Sequence, residues 1–240
     1  MVQNKADQKP QTTAAVKTRR FVVYRDFMLL FAVVIVAAGV TLMARSDFGI
    51  SAVSSVPYVF SLHFTQLSFG TWSFISYITV ISVTMLLTRN FELFYLVSLF
   101  ISVLSGIFND VFKYLWSFLP LSLSLRVVYF LIGWSMLTLG IACFIKSELP
   151  PGPYELFVSE LARLKGVPVA RGKTLLDLAG VTISTIFLIF VLRRLAGIGP
   201  GTVLAALFNG TIAGFILKHM DKRLEMKSLI FKKIGKPGAD

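Results

Sequence analysis

The stretch FMLLFAVVIVAAGVTLMAR, residues 27–45, carries no charged residue before Arg45. An apolar run of about 18 residues is long enough to cross the hydrocarbon core of a bilayer as an α-helix. Five further apolar runs follow near 71–88, 93–117, 124–146, 174–193 and 200–218. The pattern therefore predicts an all-α membrane protein with six transmembrane helices.

The composition agrees with a membrane protein and gives no sign of catalytic chemistry. Hydrophobic residues make up 55% of the chain and charged residues 15%, against about 25% charged residues in soluble domains. Cys143 is the only cysteine, so an internal disulfide is impossible. His63 and His219 stand alone, without the spacing of metal ligands. We therefore expect no enzyme activity, no metal and no cofactor.

The basic residues orient the predicted helices. The net charge is +12, but the lysines and arginines crowd the two tails and one loop, which argues against a nucleic-acid partner. With both termini inside, 19 of the 24 lysines and arginines fall on the inner side and 5 on the outer side. This bias follows the positive-inside rule. We expect a multi-pass protein of the cytoplasmic (inner) membrane with both termini in the cytoplasm.

An internal repeat is the most informative feature of the chain. The first predicted span ends in GVTLMARSDFG, residues 39–49, and the fourth ends in GIACFIKSELP, residues 140–150. At a constant offset, Arg45 matches Lys146 and Asp47 matches Glu148. Because each copy holds three spans, the second copy must enter the membrane upside down, as in the 3+3 inverted-topology repeats common among transporters. The alternative is chance similarity between apolar helices.

The repeat divides the chain into four parts. Residues 1–26 are expected to form a disordered basic cytoplasmic tail, 27–118 the first membrane repeat, 124–218 the second repeat, and 219–240 another basic cytoplasmic tail. Each repeat consists of a span, a short amphipathic helix and two further spans. The short helices are predicted within 49–69 and 151–171. The earlier stretch is apolar enough for a seventh span, but Pro57 and its place in the repeat argue against one.

Two short motifs carry a resemblance to a known family. One is Leu149-Pro150-Pro151-Gly152-Pro153, before the second short helix, and the other is Ile198-Gly199-Pro200-Gly201-Thr202, which follows Arg193. With these motifs the chain resembles the YczE/YitT-type family of bacterial membrane proteins, over residues 27 to about 220. The family is largely uncharacterised, so the resemblance implies a fold and a membrane location more than an activity.

Charged and polar residues at the ends of the spans are the first candidates for a functional site. If a central cavity lies between the two repeats, we expect it to be bordered by Arg45, Ser46, Asp47, Asp110, Lys146, Ser147 and Glu148. Ionisable residues at membrane depth usually face a protein interior or a water-filled cavity. The alternatives are local pairing of the acids and bases, caps on the short helices and, for Asp110, an interfacial position with Lys113 as its neutralising neighbour.

A second candidate site lies at the start of the sixth span. Helix N-termini expose free N–H groups that attract anions. A candidate anion site or lipid headgroup site is therefore formed by Arg193, Arg194, Gly199, Gly201 and Thr202. The alternative is a tight turn with proline near the first helical position.

Three other features receive structural interpretations. Gly210 and Gly214 have the spacing that lets membrane helices approach closely, and Asn209 beside them is expected to hydrogen-bond across that contact. Lys173 is interpreted as an interfacial residue at a helix start. Asp177 is interpreted as an acid that favours the N-terminal dipole of the fifth span.

Two classes of function follow from these features. The inverted repeat favours a small-molecule transporter or a substrate-binding membrane subunit. The basic tails favour a non-transporting scaffold or regulator of a protein partner. The expected partners are the lipid bilayer, anionic lipid headgroups at the basic tails, a small-molecule substrate, and a protein partner or a second copy of the chain.

Topology reporters fused at residues 120 and 160 test the predicted orientation. We expect an external signal at residue 120, after three spans, and a cytoplasmic signal at residue 160, after four. A cytoplasmic signal at 120 or an external signal at 160 would contradict the proposed arrangement of the spans.

Overall fold

The computed structural model describes residues 21–89, 93–147, 149, 152–193 and 197–227. The helices, in chain order, are α1 (Arg25–Ser46), α2 (Ala52–His63), α3 (Phe69–Thr88), α4 (Leu93–Ser117), α5 (Leu123–Ser147), α6 (Pro153–Lys165), α7 (Val169–Phe187) and α8 (Pro200–Arg223). A π-helical turn, Leu188–Leu192, continues α7. Six of these helices, all except α2 and α6, are long and apolar enough to cross a membrane. The prediction of six apolar spans is thus confirmed.

Two short strands add to the expected all-α fold. Strand β1 (Phe21–Tyr24) pairs in parallel with β2 (Leu224–Lys227), so that Phe21 lies opposite Leu224. The pair joins the beginning of α1 to the end of α8. Residues 21–26 and 219–227, which the sequence predicts as parts of the tails, are therefore in helix or strand. The remainder of the predicted tails, 1–20 and 228–240, lies outside the described residues.

Helices α1 and α5 form the centre of the bundle. They are antiparallel and approach so closely that a Cβ added to Gly39 would lie 2.6 Å from the carbonyl oxygen of Gly133. A Cβ added to Gly133 would in turn lie 2.7 Å from the carbonyl oxygen of Gly39. Further along the same contact, Gly140 faces Val36. Between apolar helices in lipid, such close packing of small residues is a main source of association.

The turns after α1 and α5 define the two ends of the bundle. We call the end at the turn after α1 the Asp47 end and the end at the turn after α5 the Lys146 end. With the topology predicted above, the Asp47 end faces outside and the Lys146 end faces the cytoplasm.

Helix α2 is too short to span a bilayer and begins halfway along the bundle. Its 12 residues give about 18 Å of helix, against about 30 Å of hydrocarbon. Its first residue, Ala52, faces Gly180 in the middle of α7, and Ser55 Oγ lies 2.8 Å from Ser184 Oγ. The ring of His63, at its other end, lies 5.6 Å from that of Phe187. Helix α2 therefore runs from the middle of α7 towards the Asp47 end.

Helix α6 is placed in the same way in the second half. It has 13 residues, and the ring of Tyr154 in its first turn lies 5.4 Å from the ring of Tyr77 in the middle of α3. Leu156 packs with Ile81 of α3 and Tyr95 of α4. Each short helix thus lies against the second span of the other half. The expectation that 49–69 is a short helix and not a seventh span agrees with this arrangement.

The predicted close contact at Gly210 and Gly214 is wrong. A Cβ added to either glycine meets no atom within 4 Å, so neither residue allows a close helix approach within the chain. The close approach is made instead at Gly39 and Gly133. Asn209 does bond across helices, since Trp134 Nε1 donates to its Oδ1 at 2.6 Å.

Alanine substitution should affect the stability of the protein differently at Gly39 and at Gly210. We expect Gly39→Ala to destabilise the protein by about 1–3 kcal/mol, because its methyl group has no room against the α5 backbone. Gly210→Ala should be neutral or slightly stabilising, because its position is open and alanine favours helix. The thermal unfolding temperature of the detergent-solubilised protein measures both. Equal effects would contradict the α1–α5 packing.

Candidate functional site

A central cavity of about 90 Å³ lies where the two short helices begin. The first turns of α2 (Ser51 to Ser54) and α6 (Gly152 to Glu155) line it, together with residues of α1, α3, α5, α7 and α8. Neither helix start is capped by a side chain. Uncapped first turns present backbone N–H groups and the positive end of the helix dipole to whatever occupies the cavity.

Three charged side chains line the central cavity. Lys173 and Asp177 come from α7 and Glu155 from α6. The Lys173 Nζ atom is 4.0 Å from Asp177 Oδ2, too far for a hydrogen bond. The other oxygen, Asp177 Oδ1, is buried and has no hydrogen-bond partner. Such a carboxylate oxygen has unused capacity to accept a hydrogen bond from a bound molecule.

Polar groups without charge complete the lining of the central cavity. Tyr77, Tyr154 and Asn209 each contribute to its wall. The Tyr154 hydroxyl is neutral at physiological pH and can donate and accept hydrogen bonds.

A groove of about 270 Å³ separates α7 from α8 beside the central cavity. Its walls are mostly apolar, with Leu178 and Val181 on α7 and Val203 and Leu207 on α8. Asp177 lines both the groove and the central cavity. In the first half, by contrast, α3 and α4 are in close contact at Gly70 and Gly106. The two halves therefore differ in how tightly their last two spans pack.

A larger cavity of about 280 Å³ lies at the Asp47 end. We call it the outer cavity, and its charged lining residues are Arg45, Asp47, Lys113 and Arg126. The Arg45 guanidinium donates to the carbonyl oxygens of Ser117 and Leu119, at 3.0 and 2.7 Å, and so ties α1 to the turn after α4.

The structure separates the residues predicted to border one cavity. Arg45 and Asp47 line the outer cavity, whereas Lys146 lies at the opposite end and pairs with Asp221 at 2.6 Å. Ser46 and Ser147 are buried in turns rather than in a cavity. Glu148 lies outside the described residues. These residues are therefore not brought together in a shared pocket.

Asp110 acts as a helix cap. Its carboxylate accepts hydrogen bonds from the backbone N–H of Gly70, at 2.7 Å, and from the Ser68 hydroxyl. Ser68 in turn accepts from the N–H of Thr71 in the first turn of α3. Asp110 also acts electrostatically on Lys113, its expected neutralising neighbour, without forming a salt bridge. Lys113 lines the outer cavity, and its Nζ is 5.9 Å from the centre of the Phe69 ring. The role of Asp110 is thus a local, structural one.

The predicted anion site at the start of α8 is filled by the chain itself. The N–H of Gly201 donates to the carbonyl oxygen of Phe48 at 3.0 Å, and the hydroxyl of Thr202 accepts from the N–H of Ile50 at 3.0 Å. A Cβ added to Gly199 would also meet Phe48. These glycines therefore allow close contact with residues 48–50. Arg193 ends the π-helical turn with an exposed side chain, and Arg194 lies outside the described residues.

Comparison with known proteins places the chain in a family. Residues 23–218 match the model of a family of unknown function, DUF6198. The chain belongs to this family. The expectation of an uncharacterised family is confirmed, while the YczE/YitT name stays a resemblance. No curated protein and no solved structure matches the chain.

The sequence interpretation missed the residues of the central cavity. Lys173 and Asp177 were assigned to a helix start, and Tyr154 and Glu155 fall within the short amphipathic helix predicted in 151–171, with no further role. All four lie in or near the first two turns of α6 or α7. The signal that could have found them is the Gly152-Pro153 start of α6, since a glycine or proline interruption between spans points to a binding site in transporters.

Substitution of Asp110 tests its role as a cap. We expect Asp110→Ala to cost about 1–2 kcal/mol of unfolding free energy, because two donors at the start of α3 lose their acceptor. Asp110→Asn keeps an acceptor oxygen and should cost less. Lys165→Ala is the comparison, since Lys165 is exposed and its loss should change the free energy of unfolding by less than about 1 kcal/mol. Thermal unfolding that ranks Lys165→Ala as the most damaging would contradict the assignment.

Proposed function

We propose that the protein is a non-enzymatic small-molecule transporter, or a substrate-binding membrane subunit, with its substrate site in the central cavity. It lies in the cytoplasmic membrane with both termini in the cytoplasm. The observation that carries the proposal is that two half-length helices begin at one cavity, midway along the bundle, with Lys173, Asp177 and Glu155 on its wall. Interrupted helices that meet a charged pocket at the membrane midplane are typical of substrate sites in transporters.

The proposal includes a 3+3 inverted-topology repeat. Its support is a matching set of packing partners, because α1 pairs with α5, α2 lies on α7 and α6 lies on α3. The turns after α1 and α5 also match in detail. Ser46 Oγ donates to the carbonyl oxygen of Met43 and accepts from the N–H of Phe48. Ser147 Oγ makes the equivalent bonds, at the same sequence offset, with Phe144 and Leu149.

The difference between the two halves supports alternating access. In the first half the last two spans, α3 and α4, are packed together. In the second half a groove separates the last two spans, α7 and α8. In a symmetric repeat that moves between two states, one state is expected to have one half closed and the other open. Asp177 of α7 borders both the groove and the central cavity. The groove therefore leaves space into which α7 could shift, and such a shift would change the wall of the central cavity.

The size and chemistry of the cavity suggest a small polar substrate. Its volume of about 90 Å³ corresponds to roughly six to nine water-sized spheres. A ligand in it meets one ammonium group, two carboxylates and two helix N-termini. A substrate that carries both hydrogen-bond donors and hydrogen-bond acceptors would match this lining.

The scaffold alternative gains no specific support from the described residues. It was based on basic tails, and most of their residues lie in 1–20 and 228–240, outside the described ranges. A scaffold also gives no reason for three charged side chains to line one cavity midway along the bundle, where charge at membrane depth is costly.

Cysteine labelling tests whether water and solutes reach the central cavity. In a Cys143→Ser background, Ser54→Cys places a single thiol on the cavity wall. We expect a membrane-impermeant methanethiosulfonate reagent to label it, from both sides in a transporter and from one side in a binding subunit. Ile186→Cys is the control, because its side chain is exposed on the lipid-facing surface of α7, where no thiolate forms.

One result would decide against the proposal, namely failure of Ser54→Cys to react from either side in right-side-out and inside-out vesicles. The rate at Ile186→Cys sets the background, and labelling of Ser54→Cys counts for the proposal only where it exceeds that rate. Unlabelled Ser54→Cys in a folded protein would favour a packed, non-transporting core.

A further inference from the structure

The outer cavity carries an excess of positive charge. Arg45 of α1, Lys113 of α4 and Arg126 of α5 line it, and Asp47 is the only acidic residue among its lining residues. Asp47 Oδ2 is 3.7 Å from the Arg126 guanidinium, and Asp47 Oδ1 accepts from the N–H of Gly197. The Asp47 carboxylate offsets one of the three cations, and Asp110 acts on Lys113 electrostatically without lining the cavity, so the lining itself keeps an excess of positive charge.

Two of the three cations have donors that the protein leaves unused. The Nε of Arg45 is buried and has no hydrogen-bond partner, although the other end of the guanidinium is held by the carbonyl oxygens of Ser117 and Leu119. Among the described residues, Lys113 makes no salt bridge: Asp110 acts on it electrostatically, and the Phe69 ring lies 5.9 Å from its ammonium group. A buried donor without a partner is costly, so an acceptor that reached it from the cavity would be favoured.

We propose that the outer cavity binds a phosphate group. A tetrahedral oxyanion has several acceptor oxygens and can accept from donors on three helices at once. The space of about 280 Å³ is ample for a phosphate with part of its ester, and Tyr58, Trp116 and Leu121 provide an apolar wall for that part. This cavity shares no lining residue with the central cavity, so the proposal does not depend on transport.

The phosphate could belong to a soluble compound or to a phospholipid headgroup. Arg126 and Asp47 have side chains that are 36% and 47% exposed, so the cavity is open at the level where headgroups lie if the Asp47 end is at the membrane surface. The recognition chemistry is the same in both cases. Only a binding experiment with each phosphate source distinguishes a soluble compound from a lipid headgroup.

A thermal-shift titration with inorganic phosphate tests the site. The full chain is purified in a phospholipid-free non-ionic detergent and titrated at constant ionic strength against chloride. We expect a saturable rise in the unfolding temperature of the wild type. Lys113→Gln and Arg126→Gln should bind about tenfold more weakly, as one charge-assisted hydrogen bond is lost. Lys113→Arg should restore binding, and Lys165→Gln, an exposed cation outside the cavity, should behave like the wild type.

A second arm distinguishes the source of the phosphate. The same variants are compared in nanodiscs of phosphatidylglycerol and of an uncharged glycolipid. Stabilisation by phosphatidylglycerol that requires Lys113 and Arg126 identifies a headgroup site, and saturable stabilisation by inorganic phosphate alone identifies a soluble ligand. An equal phosphate effect in all variants, or no effect of either phosphate source, would overturn the proposal. Monodisperse elution of each variant confirms that these positions tolerate substitution.

Discussion

The close contact between α1 and α5 is the constraint on which the rest of the bundle depends. Apolar helices in a bilayer gain little from leaving lipid for one another, so they associate through close packing and interhelical hydrogen bonds. Gly39 and Gly133 each leave no room for a side chain against the other helix. This brings the two halves together along their first spans, and the remaining helices are arranged on either side of that contact.

The central contact also explains why the short helices can begin halfway along the bundle. Where the backbone is not helical at membrane depth, its N–H and C=O groups must form hydrogen bonds with other parts of the protein, because lipid offers no partners. Residues 48–50 meet this requirement through α8, because Gly201 donates to Phe48 and Ile50 donates to Thr202. Gly49 makes the approach possible with a φ of 147°, a conformation that other residues rarely adopt. The chain can therefore turn back towards the middle before α2 starts.

The sequence predicted the spans better than the sites, and the reason is physical. A span needs about 18 apolar residues in a row, which is a local property. A cavity depends on which helices become neighbours. Asp110 is separated from Gly70 by 40 positions and could not be recognised as its cap from the sequence, and Lys173 and Glu155 share a wall only because α6 lies beside α7. The sequence repeat placed Ser46 and Ser147 at equivalent positions, but it did not predict the hydrogen bonds that each serine makes.

The two cavities differ in charge, and one short segment of chain leads from the lining of one to the lining of the other. Asp47 lines the outer cavity, Ser51 lines the central cavity, and residues 48–50 lie between them in the chain. These residues are held by the start of α8, and the neighbouring Asp47 accepts from Gly197 just before it. A solute that passed between the cavities along this segment would have to displace α8 from residues 48–50. If the protein transports a solute as proposed, movement of the start of α8 away from residues 48–50 is the step that would connect the two cavities, and the groove between α7 and α8 leaves space beside α8 for that movement.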